Sequence, residues 1–200
     1  MPKMITVTKV DPKEEILLAA EHILSASGVS AATVRAITTL ADVNTAAISY
    51  YFGSRDDLFD AVCARRMQPA NRKILRTLEG IEERDPDATI EQIFTPLVDT
   101  ALNIWIEDSV LRALRTLIFF SPETSDRLNA SQMSDVYHTM RVWLTRTCPY
   151  LTEQQVRQRF RMAIGAIMNQ VFHADMRPLR GREKISTQDL VSFISGGFGR

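Results

Sequence analysis

The sequence is poor in the residues that metal sites and redox sites need. Only two cysteines, Cys63 and Cys148, and three histidines occur among 200 residues, and none of them has the spacing of metal ligands or of a disulfide framework. The sequence also lacks CxxC, HExxH and GxSxG motifs and a glycine-rich phosphate loop. We therefore expect neither an enzyme nor a metal site nor a cofactor, and a reducing compartment is the simplest setting.

The sequence also has no excess of positive or negative charge and no long apolar run. The 24 basic and 24 acidic side chains give a formal net charge of zero, so the chain as a whole is not drawn to nucleic acid or to a membrane. No apolar run reaches the roughly 20 residues that cross a bilayer, and residues 1–15 lack the apolar core of a signal peptide. The expectation is a soluble, cytoplasmic protein without a membrane partner.

What is present is a helical pattern along almost the whole chain. Apolar residues recur at spacings of three and four, and capping residues, glycine or proline mark the ends of the segments. The pattern predicts an all-α fold with helices near 12–28, 34–41, 46–52, 55–67, 69–83, 89–106, 108–120, 123–147 and 153–176, and a last helix that Ser186 caps.

The stretch from Thr33 to Tyr51 predicts a helix-turn-helix, whose second helix can enter the major groove of DNA. Thr33 caps the first helix, Asp42 can adopt the left-handed conformation of the turn, and Asn44 or Thr45 caps the second helix. With Ile48 facing inward, the outward face of the second helix consists of Thr45, Ala46, Ser49 and Tyr50, with Tyr51 near its end.

This face suits DNA without needing positive charge. Hydroxyl groups bind phosphates, and the methyl groups of Ala46 and Thr45 can meet the thymine methyl. The hydroxyls of Tyr50 and Tyr51 would then reach phosphates. The alternative for either tyrosine is a half-buried packing role with only the hydroxyl in water.

The stretch TVRAITTLADVNTAAISYYFGSRDDLF resembles the DNA-binding signature of TetR/AcrR-type bacterial transcriptional repressors, over about residues 13–66. The matching positions are Thr33, Ile37, Ala41-Asp42-Val43, Asn44 to Tyr50, Tyr51-Phe52, and Arg55 in place of a lysine. The resemblance implies a homodimer that binds double-stranded DNA. The DNA-contact candidates are Thr33, Arg35, Asn44, Thr45, Ala46, Ser49, Tyr50, Tyr51 and Arg55.

The sequence departs from the family pattern in the turn and on the second helix. Asp42 stands where glycine is usual, Ser49 where many members have tyrosine, and Tyr51 where many have histidine. Tyr50 is therefore the preferred phosphate contact. Residues 1–66 hold seven Lys or Arg and eight Asp or Glu, which counts against tight binding by a monomer because phosphate neutralisation dominates affinity.

The remaining helices must supply the dimer contact that the resemblance implies. Small residues in the middle of the helix after Thr152 would let a partner helix approach, and the preceding helix ends in a bulky apolar patch around Trp143. We place the interface on 126–147 and 153–176, with Trp143, Ala163, Gly165, Ala166, Asn169 and Gln170 as candidates. The alternative is that the small residues pack against a neighbour in the same chain.

A ligand cavity among the long helices is the second expectation for this part of the chain. Aromatic residues and methionines suit adaptable apolar recognition, although the same residues also suit a core. Arg112 and Arg115 lie one turn apart and face either inward, toward an anionic ligand, or solvent. The ligand-contact candidates are Phe94, Leu97, Trp105, Arg115, Phe119, Met133, Tyr137 and Met140.

The sequence thus predicts two domains: residues 1–66 as the helix-turn-helix domain, with 1–11 as a flexible arm, and residues 67–200 as a helical ligand-binding and dimerisation domain. The function it favours is a repressor that binds a palindromic operator as a dimer and is released by a small-molecule effector. The alternative is a helical protein-interaction module whose helix-turn-helix no longer binds DNA.

Overall fold

The computed structural model describes residues 11–121, 123–124, 127, 132–173 and 186–199, without the side chains of Thr116, Phe119 and Phe120. Within these residues the chain is helical and contains no strand, which confirms the all-α expectation. The helices are α1 Pro12–Ser27, α2 Val34–Leu40, α3 Ala46–Tyr51, α4 Arg55–Arg84, α5 Ile90–Glu107, α6 Ser109–Phe120, α7 Ser134–Thr147, α8 Glu153–His173 and α9 Thr187–Gly196.

The chain divides into two compact units, one that ends at Cys63 and one that begins at Ala64. This division falls a few residues before the boundary predicted between residues 66 and 67. Of the proposed arm, residues 1–10 lie outside the described residues. Asp11 belongs to α1, since its side chain accepts a hydrogen bond from the backbone of Lys13 and caps the helix.

The N-terminal unit is built around a small core to which four helices contribute. Ile16 of α1, Ile37 of α2, Ile48 of α3 and Leu58 at the start of α4 are each at most 1% exposed. Both α2 and α3 pack against α1 and against each other. Because these helices are only six or seven residues long, their stability must come from this packing rather than from helix propensity.

Helix α4 is continuous from Arg55 to Arg84, so the predicted break at Pro69 is wrong. Proline removes one backbone donor and disfavours the helical conformation of the preceding residue. Its neighbourhood nonetheless stays helical, since Met67, Ile74 and Leu78 on either side of it are buried in the C-terminal unit. Packing of this face outweighs the local preference.

Helix α5 is the centre of the C-terminal unit and packs against α6, α7, α8 and α9. Its start is fixed by a capping box in which the Thr89 and Gln92 side chains each accept a bond from the other residue's backbone. The chain after α9 is held by Tyr150, whose hydroxyl donates to the Phe198 carbonyl at 2.5 Å. The later turns of α4 and helices α5 to α8 contribute the residues that line the cavity described below.

Candidate DNA-binding surface and ligand cavity

The turn between α2 and α3 has the conformation that the sequence predicted. Asp42 has φ of 52°, in the left-handed region that non-glycine residues seldom adopt. The following amide, of Val43, donates to the Thr38 carbonyl at 3.0 Å and closes the turn. Aspartate tolerates this conformation better than most residues with a side chain, so the helix-turn-helix forms without the usual glycine.

Asn44 caps the second helix of this motif. Its side-chain Oδ1 accepts a hydrogen bond of 2.9 Å from the backbone amide of Ala46, whereas Thr45 makes no side-chain cap. The sequence did not decide whether Asn44 or Thr45 makes the cap. With Oδ1 used by the cap, the Nδ2 of Asn44 is the group that can reach a phosphate.

The exposed face of α3 contains the four residues predicted there: Thr45, Ala46, Ser49 and Tyr50. Tyr50 is 82% exposed, and its ring packs edge-on against that of Tyr51 with 4.8 Å between centroids. No described residue forms a hydrogen bond with the Tyr50 hydroxyl. Tyr51 is half-buried. The packing role that the sequence left open therefore fits Tyr51 and not Tyr50.

Three further DNA-contact candidates flank α3. Thr33 caps α2 by accepting a hydrogen bond from the Ala36 amide at 3.2 Å. Arg35 is exposed on α2 and forms no ion pair with a described residue. The guanidinium of Arg55 lies 5.3 Å from the centre of the Phe59 ring and 3.7 Å from the Asp56 carboxylate. Of these three residues, Arg35 presents the cation that is most available to a phosphate.

A cavity of about 170 Å³ lies within the C-terminal unit, among α4, α5, α6, α7 and α8. Its walls are mainly aliphatic and aromatic. The described residues that line it are Met67, Ala70, Asn71, Ile74, Leu97, Thr100, Ala101, Ile104, Trp105, Ile118, Met133, Tyr137, Ile164, Ile167 and Met168.

Four of the predicted ligand-contact residues line this cavity: Leu97, Trp105, Met133 and Tyr137. The side chain of Phe119 lies outside the described residues. Sequence reasoning missed the whole wall contributed by α4, namely Met67, Ala70, Asn71 and Ile74. Their spacing of three and four was visible in the sequence, but the break predicted at Pro69 divided the pattern.

Three other predicted ligand contacts are core residues and do not line the cavity. Phe94 is fully buried, with its ring centre 5.6 Å from that of Phe198, and Met140 is fully buried as well. Arg115 is 7% exposed and donates to the Val171 carbonyl at 2.6 Å, which ties α6 to α8. Arg112 is exposed. The prediction of Arg115 as a ligand contact is therefore wrong, and Arg112 has the solvent-facing orientation that the sequence left open.

Tyr137 and Asn71 are the main polar groups of the cavity wall. The Tyr137 ring packs edge-on against Phe160 at 5.3 Å between centroids, and burial raises its pKa to about 12. The phenol therefore stays neutral at physiological pH. The Asn71 Nδ2 donates to the Gln132 carbonyl at 2.6 Å, which fixes the amide at the edge of the cavity.

The comparison with known protein families decides the identity of the N-terminal unit. Residues 16–62 match the family described as bacterial regulatory proteins, tetR family, and they contain the helix-turn-helix described above. The N-terminal unit is a TetR-family DNA-binding domain. The resemblance inferred from the sequence alone is thereby confirmed.

Two curated TetR-type regulators are similar to this chain. The nicotine-responsive transcriptional repressor HdnoR of Paenarthrobacter nicotinovorans is 28% identical over 100 residues, 49% of this chain and 52% of that protein. The transcriptional regulator BetI of Paraburkholderia phytofirmans is 25% identical over 139 residues, 64% of this chain and 69% of that protein. The match thus spans about half the length of the first of these proteins.

The fold of the rest of the chain also has a counterpart among solved structures. The crystal structure of the multidrug binding protein EbrR in complex with imidazole superposes with a TM-score of 0.60 at 17% identity. The superposition covers 94% of this chain and 96% of that one. At this identity the likeness concerns the fold, and it includes the helices that enclose the cavity.

The surface predicted for dimerisation needs correction at two positions. Trp143 is 2% exposed and Ala163 is 5% exposed, so both belong to the core of their own chain. Gly165 and Asn169 are exposed on α8, and Ala166 and Gln170 are partly exposed. Met162, which sequence reasoning did not include, is 67% exposed on the same helix.

Two kinds of feature are absent from the part of the chain that the structure describes. No three His, Cys, Asp or Glu side chains there come together in a group that could hold a metal ion. No helix among those residues combines the length and the apolar character that crossing a membrane requires.

Proposed function

We propose that this TetR-family protein is a transcriptional repressor that binds a palindromic operator as a homodimer and is released by a small molecule bound in the cavity of its C-terminal unit. The observation that carries the proposal is the exposed face of α3, the second helix of a well-formed helix-turn-helix. A protein that binds the chromosome in this way works in the cytoplasm.

On DNA, α3 is the helix that enters the major groove. Thr45, Ala46 and Ser49 are the residues we assign to base contacts, because they form the centre of its exposed face. Tyr50 and the Nδ2 of Asn44 bind phosphates beside the groove. Thr33, Arg35, Tyr51 and Arg55 contact the backbone at the edges of this surface.

A dimer compensates for the lack of net positive charge. Two recognition helices contact two half-sites about 34–36 Å apart, or a multiple of that distance, and their contributions to affinity combine. We place the dimer contact on α7 and the exposed face of α8, at Met162, Gly165, Ala166, Asn169 and Gln170. The exposure of these residues in the single chain supports the assignment.

Release requires that the effector binds the DNA-incompetent conformation better than the competent one. The cavity is the site we assign to the effector. Its volume, its apolar walls and its few polar groups are typical of small-molecule sites. The similarity to HdnoR, a nicotine-responsive repressor, supports a small-molecule signal for this chain as well.

The test is a selection of genomic fragments by the purified protein, followed by fluorescence anisotropy with the selected fragment. We expect a palindromic site whose affinity falls steeply as salt rises. Ser49→Glu places a negative charge on the exposed face of α3 and should abolish binding. Ser192→Glu places the same charge on an exposed position of α9 and serves as the matched control.

Failure to select any fragment would contradict the proposal and favour a helical interaction module that no longer binds DNA. Equal loss of binding in both serine variants would also contradict the assignment of α3, because the effect would then follow from net charge alone.

A further inference from the structure

We propose that the effector is an uncharged molecule the size of one ring with a single polar substituent, and that this substituent bonds to the Tyr137 hydroxyl. The inference rests on the proposed function, in which the cavity is the effector site. It specifies the chemical class of the effector from the cavity's volume, charge and polar groups.

The volume sets the size of the ligand. An engineered apolar protein cavity of about 150 Å³ binds benzene, and the cavity here measures about 170 Å³. A six-membered ring with a substituent of one or two heavy atoms therefore fits.

The walls exclude charge. The described residues that line the cavity include no Asp, Glu, Lys, Arg or His. Transfer of an ion into such a site without a partner is strongly unfavourable. Arg115, a buried cation of the same unit, is bonded to the Val171 carbonyl and does not line the cavity. A free carboxylate or an ammonium group would thus lack a counter-ion at these walls.

The Tyr137 phenol is placed to recognise one polar group. Its ring is held by edge-on packing against Phe160, and no described residue forms a hydrogen bond with its hydroxyl. A half-buried hydroxyl of this kind gains most from a ligand that supplies the missing partner. The amide of Asn71 differs, because its Nδ2 already donates to the Gln132 carbonyl.

The remaining walls favour a flat apolar ring. The Trp105 side chain lines the cavity together with several isoleucines, which are Ile74, Ile104, Ile118, Ile164 and Ile167. Aromatic rings stack or meet edge-on with an indole at small separations, and branched aliphatic side chains pack well against their faces. A benzene ring with a hydroxyl or hydroxymethyl substituent meets all these conditions.

The experiment measures the affinity of four single-ring probes for the full-length protein without DNA, by calorimetry and by tryptophan fluorescence, to which Trp105 of the cavity wall and Trp143 contribute. The probes are ethylbenzene, benzyl alcohol, benzylammonium and benzoate, which are similar in size and differ in charge and hydrogen bonding. We expect benzyl alcohol to bind at least tenfold more tightly than either ion. Equal or tighter binding of benzylammonium or benzoate, or no binding of any probe, would overturn the proposal.

Tyr137→Phe tests the hydrogen bond. It should weaken benzyl alcohol about five- to tenfold, as expected for one lost hydrogen bond, and leave ethylbenzene unchanged. Tyr150→Phe is the matched control, because its hydroxyl donates to the Phe198 carbonyl and does not line the cavity. Equal weakening of both probes by Tyr137→Phe would show a packing role and overturn the assignment of the hydroxyl.

Release of the operator is measured separately from this binding. If benzyl alcohol binds as expected and the operator complex is unaffected, the proposed release mechanism fails while the chemical class of the ligand stands. If a charged molecule releases the operator and competes with the probes for the cavity, the inference fails while the proposed function stands.

Discussion

At the scale of single residues, Tyr50 shows how exposure separates two roles that the sequence left open. A packing tyrosine buries most of its ring, whereas Tyr50 is 82% exposed and its hydroxyl has no hydrogen bond to a described residue. An exposed aromatic residue at this position contributes little to the stability of the fold, so its contribution must be sought in binding.

Tyr50→Phe should therefore weaken binding to every operator by about 1 kcal/mol, the value of one hydrogen bond, without lowering the melting temperature. Anisotropy titrations with several operator variants and thermal denaturation measure the two effects. A fall in melting temperature with unchanged operator affinity would show that Tyr50 is a packing residue.

Asp42 combines a rare backbone conformation with an exposed negative charge in the DNA-binding motif. Asp42→Asn keeps a side chain that tolerates the left-handed region and removes the charge. We expect operator affinity to rise about two- to fivefold at low salt, with a smaller gain at high salt because ions screen the interaction.

Asp42→Gly is the companion variant, since it removes both the charge and the backbone strain. It should match Asp42→Asn in affinity and differ from it only in thermal stability. An unchanged salt dependence in both variants would show that the carboxylate lies too far from the DNA to matter.

At the scale of elements, Pro69 lies inside the long helix α4 at an exposed position. Proline in a helix interior costs about 3 kcal/mol relative to alanine, and part of this cost is recovered because proline also restricts the unfolded chain. Pro69→Ala should therefore raise the free energy of unfolding by about 1–2 kcal/mol in a urea titration. Gln68→Ala, at the adjacent exposed position, should change it by less than about 0.5 kcal/mol.

The sequence predicted a helix break at Pro69, whereas α4 is continuous there. This difference shows which parts of the fold the sequence could predict. The caps at Thr33, Thr89 and Ser186 depend on contacts within one helical turn, and the first residues of the helices they cap were predicted to within one residue. The continuity of α4 depends on burial of its apolar face in the C-terminal unit. The conformational preferences of proline and its sequence neighbours give no information about such a contact. For that reason the sequence analysis missed the part of the cavity wall that α4 contributes.

The exposed face of α8 provides a test of the proposed dimer contact. A β-carbon added at Gly165 meets no atom within 4 Å, and Gly165 is exposed, so we expect Gly165→Arg to be accommodated in the single chain and to clash with a partner helix. Sedimentation should show a shift from dimer to monomer and a large loss of operator affinity.

Gly196→Arg is the matched control for this variant, because a β-carbon added there also meets no atom within 4 Å. It should leave the dimer intact. A dimer that persists in Gly165→Arg would move the interface away from this face of α8.

At the scale of the whole molecule, one helix contributes to the sites of both proposed functions. The first turns of α4 supply Leu58 and Val62 to the core of the N-terminal unit, and its later turns supply Asn71 and Ile74 to the cavity. An effector that displaces the later turns has a covalent route to the DNA-binding unit. By linkage, operator DNA must lower effector affinity by the factor by which effector lowers operator affinity.

Ala101→Trp tests this coupling, since Ala101 lines the cavity and an indole would fill it. Operator affinity should stay within about twofold of wild type, whereas release by effector should be lost and the reciprocal effect, of about 5–150-fold, should vanish. Ala101→Ser keeps the cavity volume nearly unchanged and should retain both the release by effector and the reciprocal effect of operator on effector affinity. Equal effector affinity of the wild-type protein with and without operator would contradict release by ligand.

Three methionines in the cavity wall, Met67, Met133 and Met168, have a consequence for the breadth of the response. Methionine is unbranched and flexible, so its side chain can follow the outline of different guests at little cost. A wall of this kind distinguishes charge and overall size more sharply than the position of a substituent. If the chain is the repressor proposed above, a bacterium carrying it would respond to a group of chemically related compounds with the same change in transcription, and the strength of that response would vary gradually across the group.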